Sequence, residues 1–200
     1  MNADTANDTI DAARRLQRAL YRAAKASATR RFHALYDKVY RKDVLEHAYL
    51  LAKANGGAPG PDGKTFEEIE GGGRAELLAQ LHEELKTKKY KPGAVRRVYI
   101  PKSNGKERPL GIPNIRDRVV QTAAKLVIEP IFEADFEDSS FGFRPKRSAH
   151  QALTAIEEAL KDGMNWVLDA DIAAYFDMIP HDRLMKTLAE RIVDGVRIPV

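Results

Sequence analysis

The run Trp166-Val-Leu-Asp-Ala-Asp-Ile-Ala-Ala-Tyr-Phe-Asp177 decides how this chain is read. An apolar stretch meets clustered carboxylates, and two small residues and two aromatics follow. The stretch predicts a β-strand. Strand side chains alternate between faces, so Asp169 and Asp171 would project from the same side. Carboxylates at the end of a rigid strand suit a hard cation such as Mg²⁺, which takes oxygen ligands. Ala173 and Ala174 leave room for a substrate, and an aromatic beyond them can stack on a sugar or a base. The layout suits nucleotidyl transfer with two metal ions. Asp-x-Asp pairs at strand ends also cap helices or sit in solvent, and twelve residues by themselves favour that plainer role.

Working outward, 200 residues hold one medium domain or two small ones, and 44% apolar residues suffice for a core. There is no cysteine, which excludes disulfides and thiolate metal sites and fits an intracellular protein. No apolar run approaches the roughly 18 residues that span a membrane, and the polar start Met1-Asn-Ala-Asp4 lacks the regions of a signal peptide. No membrane partner is expected.

The net charge of +4 is modest, but its distribution is uneven. Residues 14 to 42 hold Arg14, Arg15, Arg18, Arg22, Lys25, Arg30, Arg31, Lys38, Arg41 and Lys42 against one acid, Asp37. Residues 86 to 108 hold Lys86, Lys88, Lys89, Lys91, Arg96, Arg97, Lys102, Lys106 and Arg108 against Glu107. Clustered cations suit a phosphate backbone, because each neutralised phosphate releases counterions. A solvated helix face is the plainer alternative for either cluster.

Helical periodicity predicts helices over 10–29 (Leu16, Leu20), around Phe32, Leu35 and Val39, and from Asp43 as N-cap through Leu51. The glycines and prolines of 56–63 exclude helix and strand and predict either a shaped loop or a linker. A short helix after Thr65 is expected to end at Gly71-Gly-Gly73, and a longer one to carry Leu77, Leu78, Leu81 and Leu85. Residues 94 to 112 read as a hairpin around Asn104-Gly105, a favoured type I′ turn pair. It would place Arg96, Arg97, Lys102, Lys106 and Arg108 on one stiff ribbon. Asn114 or Asp117 is expected to cap a helix that Pro130 ends. The loop Ser139-Ser-Phe-Gly-Phe-Arg-Pro-Lys-Arg147 mixes aromatics that stack on bases with cations that hold phosphates, although Phe141 and Phe143 fit a core equally well. Ser148 and Gln151 form a capping box for a helix with Leu153, Ile156 and Leu160, and a last helix carries Leu184, Leu188 and Ile192. The five histidines show no metal-ligand spacing.

In order, these segments resemble the N-terminal half of a bacterial group II intron-encoded reverse transcriptase of the maturase type. Residues 56–63 resemble the loop of its N-terminal extension. Val98-Tyr-Ile-Pro-Lys-Ser-Asn-Gly-Lys-Glu-Arg-Pro-Leu-Gly-Ile-Pro113 with Arg116-Asp-Arg-Val-Val-Gln121 resembles the first fingers block. The 139–148 run resembles the second, and 169–177 the first palm block. The resemblance implies an α+β fold: a helical, basic N-terminal extension over 1–72, fingers over 73–165, and the start of an incomplete palm over 166–200. It implies Asp171 as the first catalytic metal ligand, with the Ile172 carbonyl beside it and Mg²⁺ as the ion. It implies Phe176 beneath the sugar, selecting deoxynucleotides, and Lys102 and Arg108 on the incoming triphosphate. Arg96, Arg97, Arg144, Lys146, Arg147, Gly60, Arg14, Arg18 and Arg22 would contact template or intron RNA. The implied partners are RNA, a DNA primer and a deoxynucleoside triphosphate, in a bacterial cytoplasm, with assistance to splicing of the intron RNA.

The family's second palm block, an aromatic-x-Asp-Asp turn, has no counterpart, since no Asp-Asp pair occurs in the sequence. The expectation is therefore a truncated polymerase, inactive alone. A non-catalytic RNA-binding protein and a decayed remnant remain the alternatives.

Overall fold

A computed structural model of the chain describes residues 3–101, 105, 107–172 and 174–194. The architecture is mixed: a helical body carries one two-stranded antiparallel ribbon. Helix α1 (Ala3–Lys25) buries Ala13, Leu20 and Ala24 on one stripe and leaves Arg14, Arg15, Arg18 and Arg22 on the other. It ends before the expected 29, because the Arg191 guanidinium captures the carbonyls of Ser27 (3.1 Å), Ala28 and Arg30 (3.0 Å) and turns the chain there.

Helix α2 (Tyr36–Val39) is one turn. Helix α3 (Lys42–Asn55) starts two residues earlier than expected, with Arg41 at the cap in place of Asp43. Asp43 lies in the first turn instead, held by Arg41 at 3.0 and 2.6 Å, where its charge still favours the helix dipole. Helix α4 (Phe66–Glu68) opens with a capping box between Thr65 and Glu68. The three glycines do not end that helix. They carry a π-turn, Ile69–Gly73, directly into α5 (Arg74–Lys86), with Gly72 at φ 155°, a backbone that only glycine adopts freely.

Strands β1 (Arg96–Pro101) and β2 (Glu107–Ile112) form the expected hairpin, in register Arg96↔Ile112 to Pro101↔Glu107. Helix α6 (Ile115–Glu133) runs through Pro130 rather than stopping at it. Pro130 removes only one hydrogen bond near the helix end, while Pro130, Ile131 and Ala134 are all buried. Helix α7 (Ala149–Lys161) has the predicted Ser148–Gln151 box but buries no residue. Helix α8 (His181–Arg191) follows.

Helices α1, α3 and α6 pack together around Val44, Leu45, Ala48, Val119, Ala123 and Val127, with Leu81 and Leu85 of α5 against them. One core thus crosses the expected boundary at 72–73. The far end is tied back to the start: Phe32 N–H donates to Arg191 O and Val193 N–H to Phe32 O, both at 2.8 Å, and Asp194 accepts from the Leu35 (2.7 Å) and Tyr36 amides.

A polar cluster joins α3 to the π-turn. Arg74 pairs with buried Glu46 and lies over the Tyr49 ring (4.9 Å), Tyr49 donates to Glu70 at 2.9 Å, and Lys53 meets Glu70 at 3.0 Å. The Lys53 bond first, and the Tyr49 bond second, hold the Glu70 carboxyl below its ordinary 4.5. A carboxyl lowered by folding adds stability above its unfolded value and loses it as pH falls through the folded one. Glu70 is a third exposed, so solvent keeps this gain under about 1 kcal/mol. The stability advantage of the parent over Glu70→Gln should be constant from pH 7 to 5 and shrink below 4.5 in denaturant titrations. Parallel curves down to pH 3 would remove Glu70 from the acid response.

Candidate nucleic-acid and nucleotide interface

The first turn of α6 organises everything basic around it. Asp117 is 2% exposed and accepts from the Tyr90 hydroxyl (2.7 Å) and the Gly93 amide (3.1 Å). These two bonds fix the chain just before the ribbon. Burial, then the bond to Asp117, pushes the Tyr90 hydroxyl's pKa far up, so it stays a donor. Arg116 pairs with Glu84 and lies 5.6 Å from the Tyr90 ring centre. Arg118 donates to Pro113 O (3.0 Å), Gly56 O (3.3 Å) and Ala58 O. Asn114 accepts from the Asp62 amide at 3.2 Å. Gly60 is buried against Asn114, where a Cβ would stand 2.4 Å from its Oδ1 and 2.7 Å from its Cα. The 56–63 segment is therefore a loop of set shape, not a linker. Sequence reasoning singled out Gly60 but missed Asn114 and Arg118 as the residues that hold its loop, and Asp117 as the one that fixes the approach to the ribbon. The available signal was three adjacent polar residues beginning a helix just after a glycine-proline loop and a hairpin.

On the ribbon, directly paired residues face the same side, so Arg108, opposite Ile100, shares a face with Arg96, while Arg97 faces the other way. Four residues along a strand separate Arg96 from the Ile100–Arg108 pair, about 13 Å. Both faces are exposed, with Tyr99, Val98 and Leu110 also in solvent. Lys102 and Lys106 lie outside the described residues.

The exposed face of α1 carries Arg15, Arg18 and Arg22 with no ion pair among the described residues, and Arg14 only 4.0 Å from Asp11. In the 139–147 loop the cations divide. Arg144 turns inward, its side chain 5% exposed, with Nε and Nη2 on Glu133 (2.9 to 3.2 Å) and Nη1 on Glu137 O (2.6 Å) and Ser140 O (2.7 Å). Arg147 is half-tied, to Asp138 at 3.1 Å and over the Phe141 ring at 5.5 Å. Lys146 is exposed.

The 166–171 stretch is not a strand. It is irregular and solvent-facing, with Trp166 100%, Leu168 92% and Ile172 67% exposed. A strand needs a partner for its amide and carbonyl rows, and the only described sheet is the ribbon. Asp169 and Asp171 are both exposed, so the expected same-face carboxylate pair on a rigid strand is not formed. Phe176 is exposed in a 3-10 turn (Phe176–Met178), its ring edge-on to Tyr175 at 5.3 Å. Among the described residues no three acidic or histidine side chains come together to hold a metal. Asp171 offers one carboxylate, which does not fill the octahedron Mg²⁺ demands.

The model of the family "Reverse transcriptase (RNA-dependent DNA polymerase)" matches residues 100–198. Protein YkfC of Escherichia coli is 40% identical over 90% of this chain, and the match covers 49% of that protein. The group II intron-encoded protein LtrA of Lactococcus lactis is 37% identical over 82% of this chain and 27% of its own length. An uncharacterized 91 kDa protein in the cob intron of Schizosaccharomyces pombe is 35% identical over 79% of the chain. The chain belongs to the reverse transcriptase family, on the branch of the group II intron-encoded proteins and maturases. It spans about half the length of the Escherichia coli relative and about a quarter of the Lactococcus one.

If Arg118 and Asn114 shape the loop, Arg118→Ala should speed amide exchange across 56–63 at least about fivefold, roughly 1 kcal/mol of lost closure. Gly60→Ala should do the same and also lower stability by about 1–3 kcal/mol through overpacking. Exchange unchanged in both would mean the loop keeps its shape without α6.

Proposed function

We propose that this chain is the RNA- and nucleotide-gripping portion of an RNA-directed DNA polymerase of the group II intron type, acting in a bacterial cytoplasm. The reaction is transfer of a deoxynucleotide from its triphosphate to a DNA primer 3′-hydroxyl, directed by an RNA template. The observation that carries the reading is the order of the four sequence blocks, supported by the family match across 100–198. In this reading Lys102 and Arg108 hold the triphosphate and Phe176 lies beneath the sugar. Arg96, Arg97, Lys146, Arg147 and the 56–63 loop with Gly60 meet the template. The face of Arg14, Arg18 and Arg22 meets intron RNA, and splicing assistance belongs to the same surface. Arg144 serves the RNA through its loop, since its donors are engaged internally. Asp171 and the Ile172 carbonyl would hold a Mg²⁺ ion, which would supply charge stabilisation for the transfer, and further carboxylates would be needed to complete its shell.

The non-catalytic alternative, RNA binding alone, draws on the exposed arginine face of α1. Both readings require RNA binding. Replacing Arg14, Arg15, Arg18 and Arg22 together by Gln should weaken RNA binding and reduce the slope of log K against log salt. Each lost phosphate contact contributes about 0.7–0.9 to that slope. An unchanged slope would make this face a solvated one.

Primer extension separates the readings. With RNA template, DNA primer, deoxynucleotides and Mg²⁺, the 200-residue chain should extend no more primer than its Asp171→Asn variant. Asp171-dependent extension by the chain alone would show the metal centre to be complete within it.

A further inference from the structure

Phe143 combines two costs that residues rarely carry together. Its ring is fully exposed, at 105% of the reference area, and its backbone is left-handed, at φ 56°. A bulky side chain in that backbone region is a genuine outlier, and it persists only where the surroundings over-determine it. The surroundings here are Arg144 and Arg147. Arg144 is drawn inward by Glu133 and by the carbonyls of Glu137 and Ser140, with its guanidinium 5.1 Å from the Phe136 ring centre. Arg147 is drawn down by Asp138 and Phe141. With its neighbour pulled in, Phe143 is left pointing out. Lys146 is exposed in a second left-handed turn, φ 61°.

We propose that Phe143 is a stacking platform for one unpaired nucleobase of a bound single-stranded RNA, and that Arg144 is the positioning residue that holds the ring out. The proposal rests on the RNA-binding reading above and deepens it. A protein-docking face needs a contiguous apolar patch. Within the 139–147 loop the other exposed residues are Ser139, Gly142, Pro145 and Lys146, and the one large apolar side chain exposed just ahead of it is Phe136. An exposed planar ring in a loop that also exposes Lys146 suits a base and its phosphate instead, because every base has a π-face. Exposing the ring in advance also means that no side chain has to be reordered when RNA arrives.

The test uses the whole 200-residue chain and fluorescein-labelled single-stranded RNA, read by anisotropy across a KCl series. Phe143→Ala should raise Kd at least about fivefold, the lower end for loss of one stacked base, and leave the salt slope unchanged. Phe143→Leu, apolar but without a flat face, should bind as poorly. Phe143→Trp, made in a Trp166→Phe background so that it is the only indole, should bind normally and lose fluorescence on adding RNA. Arg144→Lys, which keeps the charge but not the fork, should lose affinity with the slope intact, whereas a phosphate contact would be largely retained by lysine. If the parent binds RNA but Phe143→Ala binds within twofold of it, the platform is overturned alone. Normal binding by Phe143→Leu overturns it too, in favour of an apolar contact. Failure of the parent to bind RNA overturns the RNA reading and the platform together.

Discussion

The carboxylate of Asp117 is the constraint on which the placing of the basic ribbon depends. It is buried, and a buried carboxylate is tolerated only where hydrogen bonds replace water. Its two oxygens take one hydroxyl and one amide, from Tyr90 and Gly93. Those donors lie just ahead of the ribbon, so satisfying the charge and aiming the ribbon are the same event. Bonds of this charge-assisted kind contribute about 1.5–3 kcal/mol each, and removing the partner leaves the donors unpaired as well. Because Asn114 and Arg118 on the same turn hold the 56–63 loop, one rigid helix end sets two surface segments relative to each other. Gly60 and Gly93 are glycines because the Asn114 and Asp117 side chains occupy the space where their Cβ atoms would stand.

The other end of the body is fixed by a similar device. Arg191, 7% exposed, gathers carbonyls left open where α1 ends and also meets Asp135 at 2.9 Å. A guanidinium's five forked donors serve these carbonyls and the Asp135 carboxylate together, more partners than the three donors of a lysine reach. The result is that α8, late in the chain, is anchored to the first helix, while the segment between α7 and α8 is tethered at its ends and bare in its middle.

Much of this was legible in the sequence. The hairpin, the Ser148 capping box and the apolar stripes of α3 and α6 follow from local rules of spacing and turn chemistry. Boundaries were less so. Asp43 has the chemistry of an N-cap, but Arg41 holds its carboxylate and shifts the start of α3. Pro130 has the chemistry of a terminator, but burial of Ile131 and Ala134 carries α6 past it. Arg144 looked like a free cation in a basic loop, and nothing local says that Glu133, eleven residues earlier, would engage it. Tertiary partners decided each of these, and a one-dimensional reading does not contain them.

The 166–171 stretch shows the same limit at its sharpest. Its apolar residues and β-branched Val167 carry strand propensity, yet propensity describes fitness for a sheet and not the presence of one. Strand geometry is a relation between chains of hydrogen bonds, and the described residues supply no second member here. The exposed faces of Leu153, Ile156 and Leu160 on α7 follow the same logic, since an amphipathic stripe specifies that something apolar should cover it without specifying what. The helical and ribbon parts therefore fold by satisfying their own groups, whereas the Asp171 segment has the sequence of a site without the packing that would make it one. The described cations of α1 and the ribbon sit on formed elements, whereas among the described residues no hydrogen bond or ion pair holds Asp171. The exposed cations and the Asp171 segment are thus physically separate parts of this chain.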